Sequence, residues 1–369
     1  MWLAKDRLTA RASPNYYLEM AVVKLPVSSV IEGHKEVREA LRNTQKYSSD
    51  LQGDSDVRTY RQLPLEVDPP RHHLYRSALA PIFVKPAIEK HEAAFARTTK
   101  KLLNDFLSDP SRDVIPNLAL PLVMHNLGIL YGREQDVQEW ISWGPDAWTA
   151  NGPERDGSVL HAYIDRVYKE CKDSGKSDVW SQIAAMQIEG TQVSEIEFRG
   201  IASVMLAGGR DTMVKMITGI LWYLGKNPAD KKMLQKEPQH IDNAVQEFLR
   251  YLTPIPWMGR TTTPETGATD LPADRYVNIS FVSGNFDEAA FPDPFTVNLR
   301  RERNPHVAFG FGPHTCIGNH LAEFEVKVFL QVLLSMDFTW AVSDKTQIMY
   351  YEGEKSSLPL VFHNLFLAV

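Results

Sequence analysis

Residues Phe309 to Ala322 read FGFGPHTCIGNHLA, and this stretch decides how the whole chain is interpreted. A helical apolar pattern follows it, so Cys316 falls between a glycine-rich loop and the N-terminus of a helix. The free backbone N–H groups and the positive end of the helix dipole lower the pKa of a thiol there and stabilise the thiolate. Glycines also let a flat ligand approach the backbone closely. A lone cysteine is more often a small buried hydrophobic residue, but this loop favours a chemical role.

The composition is that of a soluble globular enzyme. Hydrophobic residues make up 43% and charged residues 23% of the 369 residues, and the net charge is -6, which argues against disorder and nucleic-acid binding. No run of about 18 apolar residues occurs, and the start of the chain lacks the apolar stretch of a secretory signal. We therefore expect a cytoplasmic protein without a membrane segment. The only cysteines are Cys171 and Cys316, which excludes a disulfide framework and an all-cysteine zinc site.

Apolar periodicity predicts a mainly helical protein with a few short strands. The predicted helices are Glu36–Leu41, Ile88–Leu107, Val159–Cys171, Ser194–Leu224, Ile241–Leu252 and His320–Leu334. Alternation or β-branched residues predict the strands Met20–Leu25, Met258–Thr263, Tyr276–Ser280 and Pro359–Phe366. Because no repeat, low-complexity tract or long linker marks a boundary, residues 1–369 are expected to form one mainly α (α+β) domain.

The longest predicted helix has an unusual centre. A capping box at Ser194 and stop signals after Leu224 predict one helix of about 30 residues, apolar on most sides as a buried helix should be. Its middle reads AGGRDT at residues 207–212, and two adjacent glycines cost roughly 2 kcal/mol relative to alanine. Either the glycines permit a close helix crossing, or the helix opens locally towards a ligand, with Asp211 and Thr212 as proton-relay groups.

The cysteine segment resembles a known cofactor-binding signature. Its spacing Phe-Gly-x-Gly-x-His-x-Cys-x-Gly is similar to the haem-binding loop of the cytochromes P450, and a chance match at all six fixed positions is rare. The resemblance implies a bacterial, soluble haem-thiolate monooxygenase with haem b (iron protoporphyrin IX), Cys316 as metal ligand, and Phe309 and Gly318 at the cofactor. A thiolate ligand favours O–O cleavage. The implied fold is a helical prism with small β-sheets and the haem between the long central helix and the helix of the cysteine loop.

Other segments match motifs of the same family in the same order along the chain. The segment DPPRHHLYR at residues 68–76 matches a helix that borders the haem. The resemblance assigns the haem propionates to four basic residues: His72, Arg76, Arg260 and His314. Two buried carboxylates need such partners. Glu247 and Arg250 match the family's structural Glu-x-x-Arg pair, which Arg301, in preference to Arg300, would complete.

The centre of the long helix also matches a family motif. The resemblance places Gly208 at the cofactor and assigns catalysis to two residues: Thr212 hydrogen-bonds dioxygen, and Asp211 helps to pass protons to it. Two residues depart from the family's pattern. Arg210 is a bulky cation where smaller residues are frequent, and it could alter proton delivery or pocket charge, while Phe286 replaces a frequent arginine.

The implied reaction activates O2 with electrons from a separate partner and hydroxylates or O-demethylates a small organic substrate. Electrons would come from ferredoxin and ferredoxin reductase, or from a flavodoxin-like donor, and no nucleic-acid or membrane partner is expected. A basic face would dock an acidic partner: Arg71, Arg76, Lys100, Lys101, Arg303 and Lys327. One alternative is a peroxide-driven peroxygenase, a class that usually lacks the acid and the alcohol retained here. Another is a haem-binding sensor, which would have no use for them.

The resemblance places the substrate pocket in four segments: Ser55–Leu65, Met205–Gly209, Pro254–Met258 and Tyr350–Ser356. The residues expected to line it are Arg58, Tyr60, Arg61, Gln62, Met205, Ile255 and Trp257. This mixture of polar and aromatic side chains favours a small oxygenated substrate, such as a methylated sugar, over a long alkane or a steroid. The alternative is that the loop residues of Ser55–Leu65 face solvent and do not line a pocket.

Overall fold

Helices dominate the computed structural model, which describes residues 29–50, 60–143, 158–174, 178–265, 273, 275–352 and 357–369. The α-helices of these residues are α1 (His34–Arg42), α2 (Arg71–Phe83), α3 (Lys85–Glu89), α4 (Glu92–Ser108), α5 (Leu120–Tyr131), α6 (Val137–Ser142), α7 (Ser158–Ser174), α8 (Val179–Ala185), α9 (Glu195–Lys226), α10 (Pro228–Lys236), α11 (Ile241–Leu252), α12 (Phe281–Asn285) and α13 (Asn319–Ser335). Among them no helix is both long and apolar enough to span a bilayer. The predicted mainly helical class is confirmed.

The strands form small sheets around the helices. They are β1 (Ser29–Ile31), β2 (Tyr47–Ser48), β3 (Gln187–Ile188), β4 (Thr191–Gln192), β5 (Trp257–Thr262), β6 (Tyr276–Ser280), β7 (Ala341–Val342), β8 (Gln347–Glu352), β9 (Ser357–Asn364) and β10 (Leu367–Ala368). One sheet has the order β1-β6-β5-β2, with β1 parallel to β6 and the other pairs antiparallel. The three predicted strands after residue 250 correspond to β5, β6 and β9, whereas Met20–Leu25 lies outside the described residues.

The predicted helix Ile88–Leu107 is wrong in one respect, because two helices occupy this segment. A turn separates α3 from α4, and the His91 N–H closes it on the Ile88 carbonyl at 3.0 Å. Ile88 and Phe95 are both buried in the same hydrophobic core. The apolar spacing therefore continues through the turn and hides the break. The other predicted helices coincide with α1, α7, α9, α11 and α13 within a few residues.

The long helix α9 occupies the centre of the fold and packs against α5, α7, α11 and α13. The predicted capping box is confirmed, since the Ser194 side chain accepts the Glu197 N–H while the Glu197 carboxylate accepts the Ser194 N–H. The helix is continuous across residues 207–212 and does not open. A Cβ at Gly209 would lie 3.3 Å from Leu127 on α5, so this glycine permits a close helix crossing.

Candidate functional site

Glycines and backbone hydrogen bonds hold the loop before Cys316 in one conformation. Gly310 and Gly312 have φ angles of 71° and 76°, in the left-handed region where a side chain is strained. A Cβ at Gly312 would also come within 3.0 Å of the Cα of Arg42 in α1. The Cys316 N–H donates to the Phe309 carbonyl over 2.8 Å. The loop therefore closes on itself and presents the Cys316 side chain just before α13.

The Cys316 side chain is exposed, although its surroundings are those of the protein interior. Burial raises the pKa of its thiol, whereas the backbone N–H of Gly318 and the charge of Arg76 lower that pKa. The expected lowering of the thiol pKa is therefore wrong for the polypeptide alone, because removal from water outweighs both opposing groups. The sulfur is nevertheless accessible to a ligand that approaches this loop. A metal cation bound there would deprotonate the thiol.

The middle of α9 has one open face. Gly208 is exposed, and Val204 and Thr212, each one turn away, are half-buried, although most of this helix is buried. Residues at this spacing share a face. A Cβ at Gly208 would meet no atom within 4 Å, and the Thr212 hydroxyl donates to the Gly208 carbonyl at 3.0 Å. Of the two glycines, Gly209 thus serves helix packing, and Gly208 leaves room beside Thr212.

Four basic residues from three parts of the fold converge near the sulfur. His72 and Arg76 lie on α2, Arg260 lies on β5, and His314 belongs to the cysteine loop. The rings of His72 and His314 are 4.1 Å apart between centroids. Burial, with a contribution from neighbouring cations such as Arg76, lowers the pKa of His72 to about 4 and that of His314 to about 3. Burial also lowers the pKa of Arg260 to about 10.

Several buried nitrogen atoms of this cluster have no hydrogen-bond partner. They are both ring nitrogens of His72 and Nε2 of His314. Buried polar atoms are nearly always hydrogen-bonded, so these nitrogens indicate a place where a polar group is held. Carboxylates would pair with them and offset the positive charge of the arginines. Together with the Cys316 sulfur and the open face at Gly208, the cluster fits haem b, which has two propionates and an iron that takes a thiolate.

Asp211, next to the open face of α9, is a buried carboxyl with a buried cation beside it. The residue is 9% exposed, and the adjacent Arg210 is 8% exposed. Nη1 of Arg210 donates to Oδ1 of Asp211. Burial raises the pKa of Asp211 to about 6, although the charge and hydrogen bond of Arg210 work in the opposite direction. The carboxyl can therefore exchange protons near neutral pH.

Glu247 on α11 is the centre of a buried ion network. Its carboxylate accepts hydrogen bonds from Arg250 at 2.8 and 2.9 Å and from Arg301 at 3.0 Å. Arg250 also donates to the backbone carbonyls of Asn285, the last residue of α12, and of Pro294, so the network joins α11 to the segment that leads to the cysteine loop. Arg300 instead pairs with Glu237 at the surface. The geometry therefore places Arg301 in the third position.

Among the residues predicted to line the substrate pocket, Tyr60 belongs to a polar cluster. Its hydroxyl lies 2.9 Å from Nε2 of His161 on α7 and accepts the Ser203 hydroxyl of α9 at 3.1 Å. The next residue, Arg61, forms an ion pair with Asp50 and is half-buried. The segment before α2 is thus tied to both α7 and α9.

The other residues predicted to line the pocket differ in burial. Met205 is buried, and Gln62, Ile255 and Trp257 are half-buried. The Gln62 N–H donates to the Glu66 carboxylate at 2.7 Å. Arg58, with the rest of residues 55–59, and the end of Tyr350–Ser356, residues 353–356, lie outside the described residues.

Several cations predicted to dock a redox partner have other partners in the structure. The pairs are Arg71 with Glu197, Lys101 with Asp105 and Lys327 with Asp242. Exposed pairs of this kind contribute little free energy and separate readily. Arg76 is half-buried and interacts with Cys316, which places it at the site rather than on an outer face. The docking face stays a prediction.

The buried ionisable residues that the sequence analysis missed include one on α13 and one on α9. Glu325 on α13 accepts a hydrogen bond from Asn126 at 2.8 Å, and burial raises its pKa to about 8. Lys215 on α9 donates to the Thr253 carbonyl at 3.1 Å, and burial lowers its pKa to about 7. For Lys215 the available signal was a single charge within the apolar stretch of residues 213–224, whereas Glu325 has Glu323 and Lys327 close by in the sequence and gives no such signal.

Comparison with known proteins agrees with this geometry. The family model described as "Cytochrome P450" matches residues 152–361, more than half of the chain. A "Probable cytochrome P450 127A1" from Sinorhizobium fredii is 28% identical over 335 residues, covering 88% of this chain and 80% of that protein. The erythromycin C-12 hydroxylase of Saccharopolyspora erythraea is 28% identical, covering 82% of this chain and 80% of that enzyme.

Solved structures show the same fold. The structure of a carbohydrate active P450 has a TM-score of 0.85 and 29% identity, covering 93% of this chain and 92% of that one. A mutant of P450 EryK in complex with erythromycin B has a TM-score of 0.80 and 25% identity, covering 91% and 89% of the two chains. The chain therefore belongs to the cytochrome P450 family, whose members bind haem b and act as monooxygenases.

Proposed function

We propose that the chain forms a single haem domain in which Cys316 binds the iron. His72, Arg76, Arg260 and His314 would hold the two propionates. The convergence of these four basic residues near one cysteine sulfur carries the proposal, because the unpaired ring nitrogens of His72 and His314 and the charges of the two arginines need acidic partners. Phe309 and Gly318, which flank the cysteine, would shape the backbone on the sulfur side of the cofactor.

The remaining site residues have separate roles in this proposal. When bound, haem supplies the redox chemistry of O2 activation. Gly208 leaves room beside α9, Thr212 hydrogen-bonds the oxygen substrate, and Asp211 exchanges protons with water and passes them towards Thr212. The ion network of Glu247, Arg250 and Arg301 holds α11 and the segment before the cysteine loop in place.

We propose that the substrate is a small oxygenated compound with a methyl ether, such as a methylated sugar. One oxygen atom of O2 is inserted into a C–H bond of the methoxy group. The other oxygen atom takes up two electrons and two protons and is released as water. The resulting hemiacetal then releases formaldehyde. The hydroxyls of Tyr60 and Ser203 and the ring of His161 support a polar pocket, since a site that hydrogen-bonds hydroxyls discriminates against apolar compounds. The similarity to a carbohydrate active P450 supports the same class of substrate.

The electron donor in this proposal is a ferredoxin with its reductase, or a flavodoxin-like protein. The cations at Arg71, Lys100, Lys101, Arg303 and Lys327 would attract an acidic partner. Association of this kind weakens as salt concentration rises.

A substrate screen tests the proposed function. Methylated sugars, fatty acids, terpenes and aromatic acids are added to the haem-loaded protein, and the spin-state shift of the Soret band is recorded. We expect shifts with methylated sugars, followed by formaldehyde release when a redox pair and NADH are supplied. Shifts with apolar compounds alone would contradict the substrate class. Turnover with peroxide but not with a redox pair would indicate a peroxygenase, and binding without any turnover would indicate a sensor.

A further inference from the structure

Arg210 approaches Asp211 from the far side of α9. Adjacent helical residues point about 100° apart and do not normally face each other. Counted from Gly208, Thr212 lies about 40° to one side of the open face and Asp211 about 60° to the other, whereas Arg210 lies about 160° away. The Arg210 side chain must therefore turn back along the helix for Nη1 to reach Oδ1 of Asp211.

Burial explains why this ion pair forms. Arg210 and Asp211 are 8% and 9% exposed, so neither charge is well hydrated. A buried charge is stable only with a partner of opposite sign or a change of protonation. The carboxylate of Asp211 is thus the counter-ion of Arg210, and the guanidinium in turn favours the ionised form of Asp211.

We propose that Arg210 is a positioning residue for proton delivery: its guanidinium holds the Asp211 carboxylate beside the open face of α9 and controls how readily that carboxyl gives up a proton. This inference rests on the proposed relay role of Asp211. The proton transfer breaks the O–H bond of the protonated Asp211 carboxyl. It forms an O–H bond on the oxygen substrate that Thr212 hydrogen-bonds. Water then returns a proton to the carboxylate.

Several other charged and titratable groups near α9 have partners of their own. Lys215, one turn beyond Asp211, donates to the Thr253 carbonyl. Groups on the elements packed against α9 are engaged as follows: Tyr131 of α5 with the Met205 carbonyl, His161 of α7 with Tyr60, Asp165 of α7 with Arg199, Arg250 of α11 with Glu247, and Glu325 of α13 with Asn126. Among the described residues, Arg210 is the cation that contacts the Asp211 carboxylate directly.

The acidity of the carboxyl depends on two opposing effects. Burial raises the pKa of Asp211 to about 6, and Arg210 lowers it. Loss of an adjacent cation typically raises a carboxyl pKa by about one to three units. A general acid donates only when protonated, so turnover limited by Asp211 should decline as the pH rises through this pKa.

The test compares Arg210→Gln, which removes the charge, with Arg210→Lys, which keeps it. Infrared difference spectra of the haem-loaded chain are recorded against pH, and the Asp211 carboxyl band is assigned by its loss in Asp211→Asn. We expect the apparent pKa of this band to rise by about one to three units in Arg210→Gln and to stay near the original value in Arg210→Lys. The alkaline limb of the pH–rate profile and the solvent isotope effect on product formation should change only in Arg210→Gln.

The matched control is Arg199→Gln on the same helix, which breaks the ion pair of Arg199 with Asp165. It should leave both the carboxyl band and the pH–rate profile unchanged. An Asp211 band that titrates at the same pH in Arg210→Gln would overturn the proposal. A band that shifts without any change of the alkaline limb would also overturn it, because Arg210 would then not influence proton delivery. If the unsubstituted protein shows no turnover with a redox pair, the proposed function fails. The infrared titration still measures the effect of Arg210 on the Asp211 carboxyl.

Discussion

At the level of individual residues, the two cysteines allow a matched test of the metal ligand. Cys316 is exposed in the loop before α13, whereas Cys171 lies half-buried on α7. We expect Cys316→Ser to abolish the carbon monoxide band that is characteristic of thiolate-ligated haem in the reduced protein, because a hydroxyl does not replace thiolate as ligand. Cys171→Ser should retain the full band. An unchanged band in Cys316→Ser would contradict the assignment.

The buried amine of Lys215 should make stability depend on pH. Burial lowers its pKa from 10.5 to about 7, so between these values the unfolded chain binds a proton that the folded chain does not. The free energy of unfolding should therefore rise with pH across this window and fall as the pH drops towards 7.

Lys215→Met should remove that slope. Each unit of pKa difference corresponds to about 1.4 kcal/mol, so the stability of the variant relative to the original protein should increase by several kcal/mol from pH 10.5 down to pH 7. Urea denaturation at a series of pH values measures the difference. Lys226→Met, at the exposed end of the same helix, serves as control and should follow the original curve. Parallel curves for Lys215→Met and the original protein would exclude a titrating Lys215.

At the level of secondary-structure elements, disruption of the Glu247 ion network should cause a large loss of unfolding free energy. Glu247→Gln leaves the cations of Arg250 and Arg301 buried without their carboxylate. Removing one partner of a buried ion pair typically costs about 3–5 kcal/mol of unfolding free energy. Chemical denaturation of the haem-loaded protein measures this loss. Glu237→Gln breaks the surface pair with Arg300 and should have little effect, so equal losses in the two variants would contradict a structural role for the network.

For the molecule as a whole, a chain of buried hydrogen bonds joins the central helix to the cysteine side. Lys215 donates to the Thr253 carbonyl, Asn285 donates to the Thr253 hydroxyl at 3.0 Å, and the Val307 N–H donates to Asn285 at 2.7 Å. Val307 lies two residues before Phe309, whose carbonyl accepts the Cys316 N–H. Asn285 is therefore the junction between the two sides of the site.

Asn285→Leu should loosen this connection. The Val307 N–H and the Thr253 hydroxyl each lose a buried hydrogen bond, at about 1–3 kcal/mol each, so we expect the free energy of unfolding to fall by about 2–6 kcal/mol. Amide hydrogen exchange should also accelerate at Val307 and in the cysteine loop. The control Gln235→Leu removes an exposed hydrogen bond to the Leu334 carbonyl and should alter neither quantity. Unchanged exchange in the cysteine loop of Asn285→Leu would show that the loop is held independently.

Local patterns in the chain were sufficient for the class of fold, the family and most of the helices. The capping box at Ser194, the glycines around Phe311 and the spacing of Glu247 and Arg250 act over a few residues, so they can be read directly from the sequence. The helix α5 escaped detection because it is apolar on nearly all sides and lacks a periodic pattern. The turn between α3 and α4 escaped because both helices face one core.

Contacts between distant segments determined everything that depends on burial. The thiol pKa of Cys316 is raised rather than lowered, the continuous α9 separates the roles of Gly208 and Gly209, and Lys215 and Glu325 are removed from water. The desolvation that shifts a pKa, and the atom that fills the space beside a glycine, come from residues far away in the chain. Sequence therefore identified the chemical groups of this protein, and folding set their charges and their neighbours.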